Sequence, residues 1–584
     1  MIIQALNAYY ERLKQNANSD IPDFGFSNEK IHFALVLDSS GKLVDVRDLR
    51  EREGKKNVPK LLEVPSASKK TSGIDPNFMW GNTGYVLGAD SKEHKDKDRP
   101  YKMFKEFKNF QHTLGDKIND IGMNSVLKFL DSWQPAEAIK LTYWEEMSGT
   151  NVVFKLDNEN KYIHEHPSIR EEWVKYYQNN QSDHKAFCLV SGQRSPIARL
   201  HQSIKGVKNA QSSGASIVSF NQDSFCSYNK EQSFNAPVSE KIVFNYTTVL
   251  NQLLRFGSRQ NIQIGDASTV FWAEEETPME GFLKDVLDPQ DSQINKGNIR
   301  RFLEAIREGK MPKDIENTRN MKFYILGLSP NAGRLSVRFW YINTVEDICN
   351  KIGQHFKDLS IAKNYEEDPE FPGMWHLLRE LAPQREIDKL SPLLAGLFMR
   401  AILTGERYPS NLLSITINRI RAEQSSKNKI TGKPVENVTY LRASMIKAYL
   451  VRNNRIRNSN EREVVGMVLN KEEKNIGYRL GRLFAVLEKA QKDAVPGANS
   501  TIKDRYYGSA SSTPVIVFPQ LLSLAQHHIQ KSDYGANTDK NIESILQDIR
   551  KFPAHLSLED QGMFALGYYH QKQDFYKKSE KKEE

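Results

Sequence analysis

The residue types able to do chemistry in this chain do not fall into the spacings that catalysis needs. His164-Glu165-His166 sets two imidazoles two residues apart. A helical zinc pair needs four, so the tripeptide reads as surface loop. His527 and His528 are adjacent on an expected helix, where only one can face a given site. Cys188 lies in the apolar run AFCLV and reads as a packed thiol. With Cys226 and Cys349 it makes a set of three cysteines that contains no CxxC pair. Neither a disulfide framework nor a zinc cluster is expected, and a reducing, cytoplasmic compartment is. GVKNAQSSG (206–214) lacks the closing Gly-Lys-Ser/Thr that sets a lysine on a nucleotide phosphate. The sequence contains no HExxH, no G-x-S-x-G elbow and no acidic cluster of nuclease spacing. The expectation is a protein that is not an enzyme and needs neither metal nor cofactor.

The remaining chemistry is that of binding. The net charge is +9, which suits a polyanion. The charge is local: residues 394–466 hold thirteen Lys or Arg against five Glu. Among them Arg419, Arg421, Arg442, Lys447, Arg452, Arg455 and Arg457 sit on expected helices and are candidates for a nucleic-acid backbone. A solvated helix face is the alternative. Two polar loops add candidates. In Ser66–Tyr85, Lys69 and Lys70 could meet phosphates, while Thr71, Ser72, Asn77 and Asn82 offer the short polar groups that read a DNA flank. Gly73, Gly81 and Gly84 would permit close backbone approach. In His201–Asn235, Lys205, Lys208, Gln211, Ser212 and Lys230 form a polar, cationic set. The first loop could equally be ordinary surface, and the second could satisfy buried backbone groups.

The elements that would position these residues divide the chain in two. Apolar patterning predicts an opening helix at 2–15, strands at 31–38 and 42–46 joined by Asp38–Gly41, and a helix at 103–115. Residues 51–60 read as loop. Strands are expected at 185–192, 215–221, 268–274 and in a hairpin of 321–330 with 334–342. Helices are expected at 239–255, with Ser239 as N-cap, and at 344–359. Beyond about 375 nearly every segment is helical. The expected fold is therefore α+β: a mixed part with antiparallel hairpins over 1–374, a basic helical region over 375–466, and a helical bundle over 467–584. The N-terminus does not read as a signal peptide. No run of apolar residues is long enough to span a bilayer, and no membrane partner is expected.

Several segments carry a resemblance: 64–88, 188–240, FWAE at 271–274, FYILGLSPNAGRLSVRFW at 323–340, and YYGSASSTPVIVFPQLLSLAQHH at 506–528. In this order they resemble the Csd-type large subunit of type I-C CRISPR Cascade complexes. The resemblance implies a subunit without catalytic residues, docked where the complex holds the 5′ handle of its guide CRISPR RNA. It implies reading of a short protospacer-adjacent flank in target double-stranded DNA, help in opening the duplex, and steadying of the displaced strand in the R-loop. The partners implied are the Cascade backbone and 5′-handle subunits, small subunits, and a helicase-nuclease. It also implies that the C-terminal part corresponds to a separate small subunit in related systems, with Met467 as a candidate internal start. A stand-alone metal-dependent nuclease and a basic RNA-binding scaffold that reads no target are the rival readings.

Overall fold

The computed structural model describes residues 1–584 except 17–18, 55, 68–72, 91–97, 288–296, 426–434, 458–464, 499 and 577–584. The described chain forms two compact units, residues 1–204 with 216–252, and residues 205–215 with 253–584. The architecture is α+β, with mixed sheets and hairpins first and helices toward the C-terminus.

In the first unit, helix α1 (Ile2–Gln15) buries Leu6, Tyr9 and Tyr10 on one face. Strand β1 (Phe26–Ile31) pairs with β6 (Lys60–Pro65). Strand β2 (Phe33–Leu37) is buried throughout, as expected for a central strand covered on both faces. The Asp38 carboxylate accepts the N–H groups of Ser40 and Lys42, both at 2.9 Å, and so turns the chain into β3 (Leu43–Asp48). Residues 51–60, which read as loop, instead form the small hairpin β4 (Glu51–Glu53) and β5 (Lys56–Val58). Strand β7 (Trp80–Asn82) leads into the helical turn α2 (Thr83–Val86), then α3 (Arg99–Gly115), α4 (Ile121–Ser132) and α5 (Trp144–Met147). Strand β8 (Asn151–Leu156) closes a sheet of order β3-β2-β8-β7, in which β2 and β8 are parallel. Parallel neighbours need a long crossover, and α3 and α4 lie within it. Phe107, Met123 and Phe129 from these helices share a core with Phe33, Leu35 and Phe154. Helix α6 (Pro167–Asn179), the short pair β9 (Lys185–Phe187) and β10 (Arg194–Pro196), and α7 (Glu240–Leu254) complete the unit's main elements. The Ser239 hydroxyl accepts the Ile242 N–H at 3.4 Å, which bears out its expected cap. Residues 215–221, expected as a strand, make none, because only Ala215 of the apolar set is buried.

The second unit contains an antiparallel meander, β11 (Asn261–Ile264), β12 (Ala267–Ala273), β13 (Lys322–Asn331) and β14 (Arg334–Thr344). The expected hairpin is present. Its two-residue turn holds Ala332 at φ 52°, in the left-handed region that such turns require. The described helices are α8 (Met279–Leu287), α9 (Asn298–Arg307), α10 (Val345–Leu359), α11 (Met374–Leu381), α12 (Pro392–Thr404), α13 (Asn411–Ala422) and α14 (Tyr440–Arg457). They continue with α15 (Ile476–Ala494), α16 (Ile502–Ala510), α17 (Pro514–Lys531), α18 (Gly535–Leu546) and α19 (Leu558–Tyr576). One apolar cluster runs from Phe271, Phe323 and Ile325 of the sheet through Ile348 and Phe356 of α10 to Phe484 and Phe564 of α15 and α19. The change of character near residue 375 is thus a change of secondary structure inside this unit. Helices α15 and α19 touch backbone to backbone: a Cβ on Gly481 would lie 2.0 Å from the Phe564 carbonyl oxygen, and one on Gly567 2.1 Å from that of Tyr478. Only glycine fits there.

Candidate nucleic-acid interface

The strongest sequence signal, the basic run on α14, is partly inside the protein. Arg442 is fully buried; its guanidinium reaches Glu380 at 3.2 Å and Glu423 at 2.7 Å and donates to the Asn437 carbonyl at 2.9 Å. Arg452 is buried too. It donates to Asp358 at 3.0 Å and to the Ala401 carbonyl at 2.9 Å, and lies 4.0 Å over the Tyr408 ring. The ammonium of buried Lys447 donates to the Asp358 carbonyl oxygen at 3.2 Å. These three residues are corrected: buried and bonded inside, they present no surface charge to a phosphate. Burial pushes the Asp358 carboxyl up, but the hydrogen bonds and charges of Arg455 and Arg452 outweigh it and hold it below the usual range. Arg455 grips the same carboxylate with two nitrogens at 2.8 and 2.9 Å while its side chain stays 40% exposed. Arg457 pairs with Glu559 at 3.0 Å at the surface. Arg419 pairs with Glu423, and Arg421 donates to Gln561 at 2.8 Å. Lys427, Lys429, Lys433 and Arg462 lie outside the described residues.

The first polar loop is also divided. Lys69, Lys70, Thr71 and Ser72 lie outside the described residues. The second half of the loop is not irregular surface: Phe78, Met79, Trp80, Tyr85 and Val86 are buried, and this apolar run draws residues 78–86 into the core. Gly84 packs there, its virtual Cβ 3.0 Å from Met103, so it offers no open backbone. Asn82 caps α2, accepting the Tyr85 N–H at 3.3 Å. Asn77 is only 7% exposed; its backbone carbonyl accepts from Gln111 at 2.9 Å.

Asn77 lines a cleft of about 620 Å3 within the first unit. Its wall is aromatic: Phe110 from α3 and Trp173, Tyr176 and Tyr177 from α6. Trp173 is fixed by a stack on Phe78 and by its N–H, which donates to the Gly25 carbonyl. Ser66, Ala67 and Asp75 also line it, as do Arg199, Gln202 and Glu240. Both polar loops identified in the sequence therefore reach one cleft through their ends. Burial, with the nearby Glu240 carboxylate, raises the Tyr177 hydroxyl to about 12, and burial with Asp75 raises that of Tyr176, so both remain donors at neutral pH.

The second loop is mostly exposed. Lys205, Lys208, Gln211 and Ser212 are exposed in the second unit, with the Lys208 N–H donating to the Ser268 hydroxyl. Lys230 is exposed in the first. It closes a tight turn, its N–H donating to the Ser227 carbonyl at 3.0 Å. The central residues Tyr228 and Asn229 have φ 53° and 55°, the conformation of a type I′ turn. Asparagine tolerates it; tyrosine is strained there, by about 1–2 kcal/mol. The Asn235 side chain holds the turn, accepting from the Ser227 N–H at 2.9 Å and donating to the Lys230 and Gln232 carbonyls at 2.7 and 2.9 Å. Tyr228 is consequently 95% exposed. Its role is not evident from sequence alone; the Tyr-Asn pair between Ser227 and Lys230 is the available signal.

Cys188 is buried as expected, just beyond β9. Burial raises its thiol, but the backbone N–H groups of Ser191, Ser239 and Val190 outweigh this and lower it. The surface-loop reading of His164–His166 is corrected. His164 is 1% exposed against the Glu63 carbonyl, and burial lowers its ring to about 4; His166 is gripped by Asp120 at 3.0 Å and Glu159 at 2.8 Å. Met467 is exposed at its side chain, while its carbonyl accepts from the Ala362 N–H at 2.9 Å. Among the described residues no helix is long and apolar enough to cross a membrane.

Compared with known families, residues 6–576 match the family model described as CRISPR-associated protein (Cas_Csd1). No curated protein matches the chain.

Proposed function

The chain belongs to the Cas_Csd1 family of CRISPR-associated proteins, and from that premise we infer that it is the non-catalytic large subunit of a type I-C RNA-guided surveillance complex. In this reading it recognises the protospacer-adjacent flank of the target duplex, aids its opening, steadies the displaced strand and helps bring in the helicase-nuclease that cleaves. The observation that carries the reading is the family match along nearly the whole chain. The physics is favourable. Guide pairing reads the sequence, so the protein need read only a short flank, and R-loop formation is so nearly balanced that a few protein contacts tip it.

The Tyr228 tip supports duplex opening. An aromatic ring held out in solvent by a strained, strapped turn, beside exposed Lys230, has the character of the apolar wedges that part base steps. Lys205, Lys208, Gln211 and Ser212 are suitably exposed for a backbone. The test uses the complex assembled with its genomic neighbours. Tyr228→Ala is expected to leave assembly and binding of a pre-opened bubble target intact while weakening flank-bearing closed duplex about tenfold. Equal loss on both targets would remove the wedge. Flank-independent binding by the wild-type complex would favour the scaffold reading.

A further inference from the structure

Two residues that line the cleft of the first unit each carry a polar atom that nothing among the described residues satisfies. The Ser66 hydroxyl and the Asn77 side-chain carbonyl are buried, in residues 8% and 7% exposed, and neither has a hydrogen-bond partner. Both residues line the cleft. A buried polar atom left unmade costs about 1–3 kcal/mol, and two at one cleft mark where a ligand's polar edge belongs.

The lining says what kind of edge. Among the described lining residues, Asp75 and Glu240 against Arg199 give two negative charges and one positive, a balance that disfavours a phosphate. A lysine or arginine side chain carries donors alone, whereas here the Arg199 guanidinium, the Gln202 amide and the Tyr176 and Tyr177 hydroxyls also supply donors. The matching ligand is uncharged, flat enough for an aromatic wall, and bears donors and acceptors on one edge. A nucleobase out of its stack has that description, and proteins that hold single strands combine aromatic faces with hydrogen bonds to the base edge. The volume, about 620 Å3, exceeds what one base needs.

We propose that this cleft captures a single unstacked nucleobase, with Asn77 and Ser66 bonding its edge and Tyr176 and Tyr177 flanking its ring. The inference rests on the nucleic-acid reading above and adds a site to it. The base comes from the opened DNA or from the guide RNA; the chemistry is shared, and experiment separates the two.

The assembled complex is given photoreactive bases, 5-iodouracil for pyrimidines and 8-azidoadenine for purines. They are placed one position at a time in the DNA flank, the displaced strand and the guide. Irradiation and then peptide mass spectrometry are expected to join one position, in one strand, to the peptide holding Tyr176 and Tyr177. Removing the base at that position (an abasic sugar) is expected to weaken binding about tenfold. Asn77→Leu should do the same, and the two together no more than either. Ser66→Ala, which deletes only an unbonded hydroxyl, carries the same test at about threefold should Asn77→Leu prevent assembly. Flank-dependent binding with no crosslink to this peptide, or additive effects of the two changes, overturns the nucleobase site and leaves the large-subunit reading standing. A complex that binds no nucleic acid overturns both.

Discussion

Helix α14 and the turn at Ser227–Lys230 invert the usual placement of residue types. The helix carries Arg442, Lys447 and Arg452 into the interior; the turn carries Tyr228 almost wholly into water. In each case specific partners make the inversion tolerable. The cations are matched by Glu380, Glu423 and Asp358 and by backbone carbonyls, and the tyrosine by an Asn235 side chain that clamps the chain beneath it. The difference lies in what is left over. Inside α14 the charges are consumed by the fold, whereas at the turn the strain leaves a ring and an ammonium facing outward. A count of cations therefore locates charge without saying whether water, or a phosphate, can reach it.

The comparison can be broken most directly at Arg452. Arg452→Ala leaves the Asp358 carboxylate buried with one of its cations gone, and is expected to cost about 3–5 kcal/mol in denaturant unfolding of the second unit. A loss below about 1 kcal/mol would show that the charge is not needed inside. Mild acid comes next. His355 and His570 of the second unit are lowered by burial to about 3 and 4, and His164 of the first to about 4. Each stays neutral when folded and gains a proton when unfolded, so stability is full above about pH 6.5 and falls as pH drops below it. The slope is about 1.4 kcal/mol per pH unit for each ring. Burial also lowers His32 of the first unit and His528 of the second, so unfolding at pH 5.5 against 6.5 should weaken the second unit more than the first; equal losses would refute this. The smallest effects are at the surface. Lys208→Ala and Lys230→Ala should each lower the salt slope of nucleic-acid binding by about one if that lysine meets a phosphate. Arg457→Ala, its charge already answered by Glu559, should move the slope less. An effect of Arg457→Ala as large as that of Lys230→Ala would erase the distinction between spent and available charge.

Local pattern made much of the fold legible. The Asp38–Gly41 turn, the helix over 240–254 with its Ser239 cap and the β13–β14 hairpin all arise from turn chemistry and periodicity. Pairing at long range was not legible. Nothing in residues 78–86 says that Trp80–Asn82 will lie against Asn151–Val153, and without that the segment reads as loop. The fate of the α14 cations was hidden for a related reason. Their carboxylate partners lie elsewhere in the sequence, at 358, 380 and 423, and only folding brings them together. The cleft was half legible: both polar loops drew notice, but the aromatic wall on α6 read as ordinary helix.

The glycine contact between α15 and α19 has a consequence for a polypeptide begun at Met467. Such a fragment would possess both members of the fused helix pair and could zip them together unaided. It would lack the Ala362 carbonyl that receives the Tyr569 hydroxyl, the Glu436 that answers Lys572, and the Leu413, Ile446 and Leu450 side chains beside Gly562. One flank of α19 would stand bare, greasy and missing two polar anchors. A free C-terminal piece would carry its tightest helix pair with it, yet want a neighbour to cover that side.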